Sequence, residues 1–121
     1  MSRIMPVQLR SIMRERWSIE TSSLWLPENP ARGQCDVTSL IVHDLCGGDI
    51  LKNRAPDGWH FYNWANGERH DLTDSQFSFI IDYSDLLSRR DDALAGTALK
   101  QRMILRNRVV RRIEFCGVNA V

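Results

Sequence analysis

The sequence predicts an α+β domain, because helical and strand patterns occupy different parts of the chain. In the first 46 positions apolar residues recur at helical spacing on both sides of a loop, which indicates two helices. An aromatic-rich segment then leads to Asn66-Gly67, the strongest short-range signal of a β-hairpin. Helical spacing returns towards the C-terminus. We therefore expect one domain, residues 1–121, in which a central helix packs on an antiparallel sheet and other helices flank it.

The first two helices follow from the positions of the apolar residues. After Pro6 an amphipathic helix is expected to end near Trp17, and a loop with two prolines follows it. Its expected inward residues are Val7, Leu9, Ile12, Met13 and Trp17. The second helix is expected to begin at Cys35 and to end at Gly47, a natural left-handed cap. Its expected buried face holds Val37, Leu40, Ile41 and Leu45.

The turn sets the register of the hairpin. If Asn66-Gly67 supplies the two turn residues, Ala65 pairs with Glu68 and the same register continues away from the turn. His60 and Asp71 then lie on one face as diagonal neighbours, within reach of each other. A slip of one residue would reverse this assignment.

The last third of the chain predicts a further buried segment and two helices. The apolar residues Phe77, Phe79, Ile80 and Ile81 indicate a short strand or buried stretch. Ser88 is expected to cap a short helix that ends at Gly96, and Thr97 to cap the last helix. In that last helix we expect Leu99, Met103, Val110 and Ile113 to face inward and Arg102, Arg106, Arg108 and Arg112 to face largely outward.

Composition and charge exclude several classes of protein. The chain has 121 residues, 43% of them hydrophobic and 26% charged, as in an ordinary soluble globular protein. A net charge of +1 gives no field that would attract nucleic acid or anionic lipid, so neither is an expected partner. No apolar run approaches the roughly 18 residues that cross a bilayer. The cysteines, Cys35, Cys46 and Cys116, lack disulfide-framework spacing, which favours a reduced, cytoplasmic protein.

Three residues could form a site for acyl transfer by a thiol. Such a site needs a nucleophile, a base and a group that orients the base, and Cys35, His60 and Asp71 supply these in chain order. Cys35 begins a helix, where unpaired amides and the helix dipole favour an anion, although the neighbouring Asp36 disfavours a thiolate. Gln34 is a candidate oxyanion donor, through its side chain or through neighbouring backbone amides.

Each of these residues also has a structural interpretation. Most free cysteines are small buried hydrophobes. A histidine on an aromatic strand is commonly a hydrogen-bonded structural residue, and Asp71 could bond backbone amides at a turn. The chain has no C-x-x-C or H-E-x-x-H motif, so neither a metal nor another cofactor is expected. The basic run 100–112 could contact phosphates, but its alternation with apolar residues is typical of a solvated helix face.

Several motifs of this chain resemble those of the YunG family of small bacterial proteins. They are Trp17-Ser18-x-Glu20-Thr21, Asn29-Pro30-Ala31-x-Gly33-Gln34-Cys35-x-Val37-Thr38, Gly47-Gly48-Asp49-Ile50, His60-x-x-Asn63, Gly67, Asp71-Leu72-Thr73 and Gln76-Phe77. They occur in the right order and cover roughly half of the chain. That family looks like a compact branch of the papain-like and transglutaminase-like superfamily, so the resemblance implies a papain-like core.

The resemblance also implies roles for individual residues. Carried over by position, Cys35 is the nucleophile, His60 the base and Asp71 its orienting partner. The Gly-Gln-Cys start is similar to that of transglutaminases, but Asp36 stands where transglutaminases usually have Trp, which argues against protein cross-linking. Tyr62 stands where YunG-like sequences commonly have Trp, a change that keeps an aromatic ring.

The sequence thus predicts a cysteine-dependent hydrolase or acyl transferase of the peptidase, deamidase or isopeptidase type. It would act on an amide or thioester, in a protein or peptide substrate, through an acyl-thioenzyme. The alternative is a non-enzymatic protein-binding module that keeps the three residues as a structural hydrogen-bond cluster. The substrate and the oligomeric state stay open.

Overall fold

The computed structural model describes residues 4–116, which form an α+β arrangement of four α-helices and a four-stranded antiparallel sheet. The helices are α1 (Pro6–Arg16), α2 (Cys35–Cys46), α3 (Arg90–Leu94) and α4 (Leu99–Cys116). The strands are β1 (Asp49–Ala55), β2 (Gly58–Ala65), β3 (Glu68–His70) and β4 (Leu86–Leu87), in the sheet order β3-β2-β1-β4. A single 3-10 turn covers Asp74–Gln76. The predicted α+β class is confirmed.

Helix α2 lies at the centre of the fold, as expected. One side of it packs with α1 and α4 in a core cluster that includes Leu9, Val37, Ile41, Leu105 and Val109. Another side contributes Leu40 to a second cluster with Ile50 and Phe61 of the sheet. Because apolar partners lie on both sides, α2 is buried almost all round, and its N-terminus is held in a fixed place.

The helix α1 ends where the sequence predicts, with Trp17 as its C-cap. Leu9, Ile12 and Met13 are buried, but Val7 is 70% exposed and so was wrongly expected to face inward. The Trp17 indole Nε1 donates a hydrogen bond of 2.9 Å to Thr38 Oγ1, which ties the end of α1 to α2.

The hairpin of β2 and β3 has the predicted turn and register. Asn66 and Gly67 both have positive φ, +55° and +77°, as a two-residue hairpin turn requires. Ala65 pairs with Glu68, and the pairing ends two residues further on, at His70. Residues 58–62 of β2 therefore extend beyond the end of β3.

The strand β1 was not expected from the sequence. It pairs with β2 along its whole length, from Asp49 opposite Trp64 to Ala55 opposite Gly58. Its residues show no clean two-residue alternation of burial, because Leu51 and Ile50 are both buried. This segment is a strand because it pairs with the aromatic strand β2, and no local sequence pattern predicts β1.

The expected strand or buried stretch at residues 77–81 is wrong. These residues are irregular, Ile80 is 98% exposed and Phe79 is 51% exposed. Phe77 and Ile81 are half-buried, and the Phe77 ring packs on His60 with the two ring centroids 4.9 Å apart. Residues 77, 79 and 81 alternate as in a strand, but this segment pairs with none of the described strands, so no sheet covers that face.

Helix α4 buries a stripe that differs from the predicted one, although Ile113 packs against the core as expected. Leu105 and Val109 are fully buried, whereas Leu99 and Met103 are 60% and 54% exposed. Two apolar stripes overlap on this helix, and α1 and α2 pack against the one that contains Leu105 and Val109. None of the described helices is long and apolar enough to cross a membrane.

Substitutions on the two apolar stripes of α4 test which face of this helix packs against the core. Leu105→Ala should lower the free energy of unfolding by about 2–5 kcal/mol, because it leaves a cavity against α1 and α2. Met103→Ala, two residues away and half exposed, should cost about 0.5 kcal/mol or less. Urea denaturation of both variants measures the difference. An equal loss from the two substitutions would show that α4 presents its other face to the core.

Candidate active site

Cys35 is the first residue of α2 and is almost buried. Its Sγ donates a hydrogen bond of 3.0 Å to Oδ1 of Asp36. Burial raises the pKa of the Cys35 thiol well above its usual value, and the charge of Asp36 raises this pKa further. The backbone N–H of Phe61 acts in the opposite direction. The thiol is therefore protonated at neutral pH in this arrangement.

Gly33 and Gln34, the two residues before Cys35, fix the path of the chain into α2. Gly33 has a φ of +73°, and a side chain there would overlap with Ser22 and Leu24. Gln34 is fully buried, and its Oε1 accepts a hydrogen bond of 2.8 Å from Thr21 Oγ1. Its Nε2 donates to the Ser18 carbonyl at 3.4 Å. The Gln34 amide thus ties the preceding loop to α2, and its oxyanion role stays a prediction.

His60 and Asp71 are in contact, as the hairpin register indicated. His60 Nε2 lies 2.7 Å from Asp71 Oδ2, and the two side chains are 1% and 3% exposed. A carboxylate only accepts hydrogen bonds, so neutral His60 carries its proton on Nε2. Nδ1 then has a free lone pair, and this buried atom has no hydrogen-bond partner among the described residues. The imidazole is therefore oriented as a base that can accept a proton at Nδ1.

The Asp71 carboxylate is held by further donors. Tyr83 donates its hydroxyl to Oδ2 at 2.7 Å, and the backbone N–H of Thr73 donates to Oδ1 at 3.2 Å. Arg10 of α1 bonds the Asp71 carbonyl at 2.8 Å, which anchors the backbone at this point. With donors on both oxygens, the carboxylate has one defined orientation towards His60.

Tyr83 is the site residue that sequence reasoning missed. It lies in an irregular segment and follows no motif or periodic pattern, so no local signal points to it. Burial, followed by its hydrogen bond to Asp71, raises the pKa of the Tyr83 phenol, which therefore stays a donor at neutral pH.

The Arg69 guanidinium lies 4.3 Å from the Tyr83 ring centroid and also binds Asp85, at 2.8 Å through Nε. Arg69 thereby holds the pKa of the Asp85 carboxyl below its usual value.

Cys35 and His60 line one cleft of about 740 Å³. Along β2 the side chains alternate, so Phe61 packs with Cys35 and Leu40 of α2, while His60 lies on the other face against Phe77; the two faces meet at the edge of the cleft that both Cys35 and His60 line. The thiol and the imidazole share the cleft where β2 extends beyond β3. The structure therefore brings His60 and Asp71 into contact and opens Cys35 to the same cleft, but the Cys35 Sγ bonds Asp36 and not His60.

The remaining histidines take part in other contacts. His43 Nδ1 lies 2.8 Å from an Arg90 nitrogen, and His70 Nε2 lies 3.2 Å from the Ala65 carbonyl oxygen. Within residues 4–116, no group of three or more His, Cys, Asp or Glu side chains is placed to hold a metal ion. The side chain of Cys116, which the sequence analysis also considered, lies outside the described residues.

Comparison with known proteins gives the family but no solved relative. A protein of Bacillus subtilis (strain 168), described as "Uncharacterized protein YunG", is 39% identical over 106 residues, which cover 88% of this chain and 92% of that protein. No solved structure matches the chain. The family model described as "YunG protein" matches residues 5–114. The chain therefore belongs to the YunG family.

Proposed function

We propose that this protein is a cysteine-dependent hydrolase or acyl transferase that acts on amide or thioester bonds of a protein or peptide. Cys35 is the nucleophile, His60 the base and Asp71 the group that orients the base. The observation that carries this proposal is the His60 imidazole: its Nε2 is bound to Asp71, its buried Nδ1 has no hydrogen-bond partner within residues 4–116, and the residue lines the same cleft as Cys35. A purely structural histidine would be expected to satisfy both ring nitrogens.

The reaction begins with a proton transfer from the Cys35 Sγ to His60 Nδ1, after rotation of the thiol away from Asp36. The thiolate attacks the carbonyl carbon of the substrate and forms a tetrahedral intermediate. As this collapses, the bond to the leaving group breaks and the leaving group takes the proton from Nδ1. A water, or another acceptor, then gives its proton to Nδ1 and attacks the thioester carbonyl. The second tetrahedral intermediate collapses with cleavage of its carbon–sulfur bond, the acyl product leaves, and the Cys35 Sγ takes the proton from Nδ1, which restores the thiol. Asp71 keeps its charge and holds the Nε2–H throughout.

The oxyanion of the intermediate needs donors close to the sulfur. The backbone N–H of Cys35 is in the first turn of α2, where amides have no partner within the helix. The backbone N–H of Gln34 already donates to the Ala31 carbonyl at 3.1 Å, and the Gln34 side chain bonds Thr21 and Ser18. The Cys35 amide is therefore the stronger candidate donor, supported by the dipole of α2.

The cleft suits an extended peptide better than a compact small molecule. It is partly open to solvent, and the half-exposed Trp59 and the ring of Phe77 line its walls. Exposed aromatic rings of this kind favour contact with backbone and apolar side chains.

The proposal also includes a papain-like arrangement, in which the nucleophile lies at a helix N-terminus and the base on an antiparallel strand. It further includes a reducing cytoplasmic location for the thiol.

The hydrogen bond from Cys35 to Asp36 favours a second candidate function. A buried, protonated thiol is poorly reactive, so the same residues could serve a protein-binding module that has no chemistry. In that case the cleft would bind a peptide without forming a covalent bond. Binding of equal strength to the wild type and to Cys35→Ala, together with an inert Cys35, would identify this function.

Acylation by a small activated ester tests the proposed reaction without knowledge of the substrate. We expect the p-nitrophenyl ester of N-acetylglycine, which carries a peptide-like N–H, to transfer its acyl group to Cys35, with release of p-nitrophenolate, and Cys35→Ala to abolish the adduct. His60→Ala should slow the acylation by about 10²- to 10⁴-fold because the proton acceptor is lost. Absorbance of the product and peptide mass spectrometry give the rate and the position.

The matched control for His60→Ala is His70→Ala. This histidine belongs to the same hairpin and bonds the Ala65 carbonyl, so its loss should leave the acylation rate unchanged. The proposal fails if Cys35 of the folded wild type is not acylated, or if His60→Ala reacts as fast as the wild type.

Substitutions at Asp71 and Tyr83 test the orientation of the base. Asp71→Ala should slow acylation by about 10²- to 10⁴-fold, since nothing then fixes the Nε2–H tautomer. Tyr83→Phe should slow it by about tenfold or less, because Thr73 still holds the carboxylate, and should lower the free energy of unfolding by about 1–2 kcal/mol.

Tyr62→Phe is the control for Tyr83→Phe. The Tyr62 hydroxyl bonds Asp85 and not Asp71, so its loss should lower the stability to a similar extent and leave the acylation rate unchanged. Equal acylation rates in the two tyrosine variants would contradict a role for Tyr83 in orienting Asp71.

A further inference from the structure

We propose that Asp36 restrains the nucleophile: it holds the proton on Cys35 while the cleft is empty, and a ligand that donates an N–H to Asp36 releases the thiol towards His60. This inference rests on the proposed function and concerns the regulation of the same site. The ligand chemistry that fits is a hydrogen-bond donor such as a peptide amide.

The contact between the thiol and Asp36 is the first observation. Sγ donates to Oδ1 at 3.0 Å, and a thiol engaged in this way does not present its proton to His60 Nδ1. His60 Nδ1, for its part, has no partner among the described residues. His60 Nδ1 can thus accept a proton, while the Cys35 thiol donates its hydrogen bond to Asp36 instead.

The connection between α3 and α4 fixes the position of Asp36. A side chain at Gly96 would overlap with the Asp36 carboxylate, so the carboxylate lies directly against the backbone at this glycine. Helix α3 is in turn anchored to α2, because Arg90 pairs with Asp44 at 2.8 Å and bonds His43. Asp36 is therefore confined between the sulfur and a fixed backbone segment.

The negative charges near the Cys35 sulfur also favour the protonated thiol. Burial raises the pKa of the Cys35 thiol most, Asp36 and the more distant Asp71 raise it further, and the Phe61 N–H lowers it. Asp92, on the α3 side of the cleft, is paired with Lys52 at 3.1 Å, and the remaining ionisable cleft residues are Arg32, Asp57 and His60. Of the carboxylates, Asp36 is the one bonded to the sulfur, so its removal should have the largest effect.

The two carboxylates of the site then have opposite effects. Asp71 bonds the base and prepares it to take a proton, whereas Asp36 bonds the nucleophile and keeps its proton in place. A ligand whose N–H bonds Asp36 competes with the thiol for the same oxygen. The thiol is then free to rotate, and its proton passes to Nδ1 while Asp36 keeps its negative charge. Formation of the nucleophile is thereby coupled to occupation of the cleft.

The pH dependence of Cys35 alkylation by iodoacetamide, followed by peptide mass spectrometry, tests this inference on the full chain. In the wild type the alkylation rate should rise only at alkaline pH, with a midpoint above the usual thiol value. Asp36→Asn should move the midpoint to lower pH and raise the rate at pH 7 by about tenfold for each unit of the shift. Asp49→Asn is the matched control, because this exposed residue starts β1 at the far end of the β1–β2 hairpin.

The variant Asp36→Ala and the same substitutions in a His60→Ala background complete the test of Asp36. Asp36→Ala also removes the acceptor and should shift the midpoint in the same direction, and circular dichroism establishes that each variant is folded. An unchanged or raised midpoint in the folded Asp36 variants would overturn the inference. In the His60→Ala background the Asp36 substitutions should still lower the midpoint, so a failure of His60 as the base and a failure of Asp36 as the restraint give different results.

Discussion

The hydrogen bond between His60 and Asp71 is the interaction on which the candidate site depends, because it decides which imidazole nitrogen is free. The bond is buried, so water does not compete with it and its geometry is well defined. The hairpin turn, the Arg10 contact to the Asp71 backbone, and the Tyr83 hydroxyl all support this one pair. Residues from α1, the hairpin and the irregular segment before β4 thus converge on Asp71: Arg10 bonds its backbone carbonyl, and His60 and Tyr83 bond its carboxylate.

The second constraint is the placement of Cys35 at the start of a helix that is buried on nearly every side. Apolar packing fixes α2 between the other helices and the sheet, so the sulfur has little freedom apart from rotation of its own side chain. That rotation is the freedom by which the thiol can leave Asp36 Oδ1 without a change in the packing of α2.

The parts of the molecule that the sequence predicts are those set by local interactions. The Asn66-Gly67 turn has a strong conformational preference, and the register that it imposes brings His60 to Asp71. By contrast, β1 becomes a strand through its pairing with β2, and the stripe of α4 that is buried depends on where α1 and α2 lie. Tyr83 reaches Asp71 from an irregular segment, a long-range contact that no pattern of neighbouring residues encodes.

The two ends of β2 differ in their tolerance of insertions. At the end that leads to β3, one extra residue in the turn would rotate Asp71 to the other face of the hairpin and separate it from His60. At the opposite end, the connection from β1 forms part of the cleft wall, through Asp57 and Gly58, and does not set the contact between His60 and Asp71. Changes in length there would alter the shape of the cleft and leave the His60–Asp71 register intact. The shape of the cleft can therefore diverge independently of the buried His60–Asp71 pair.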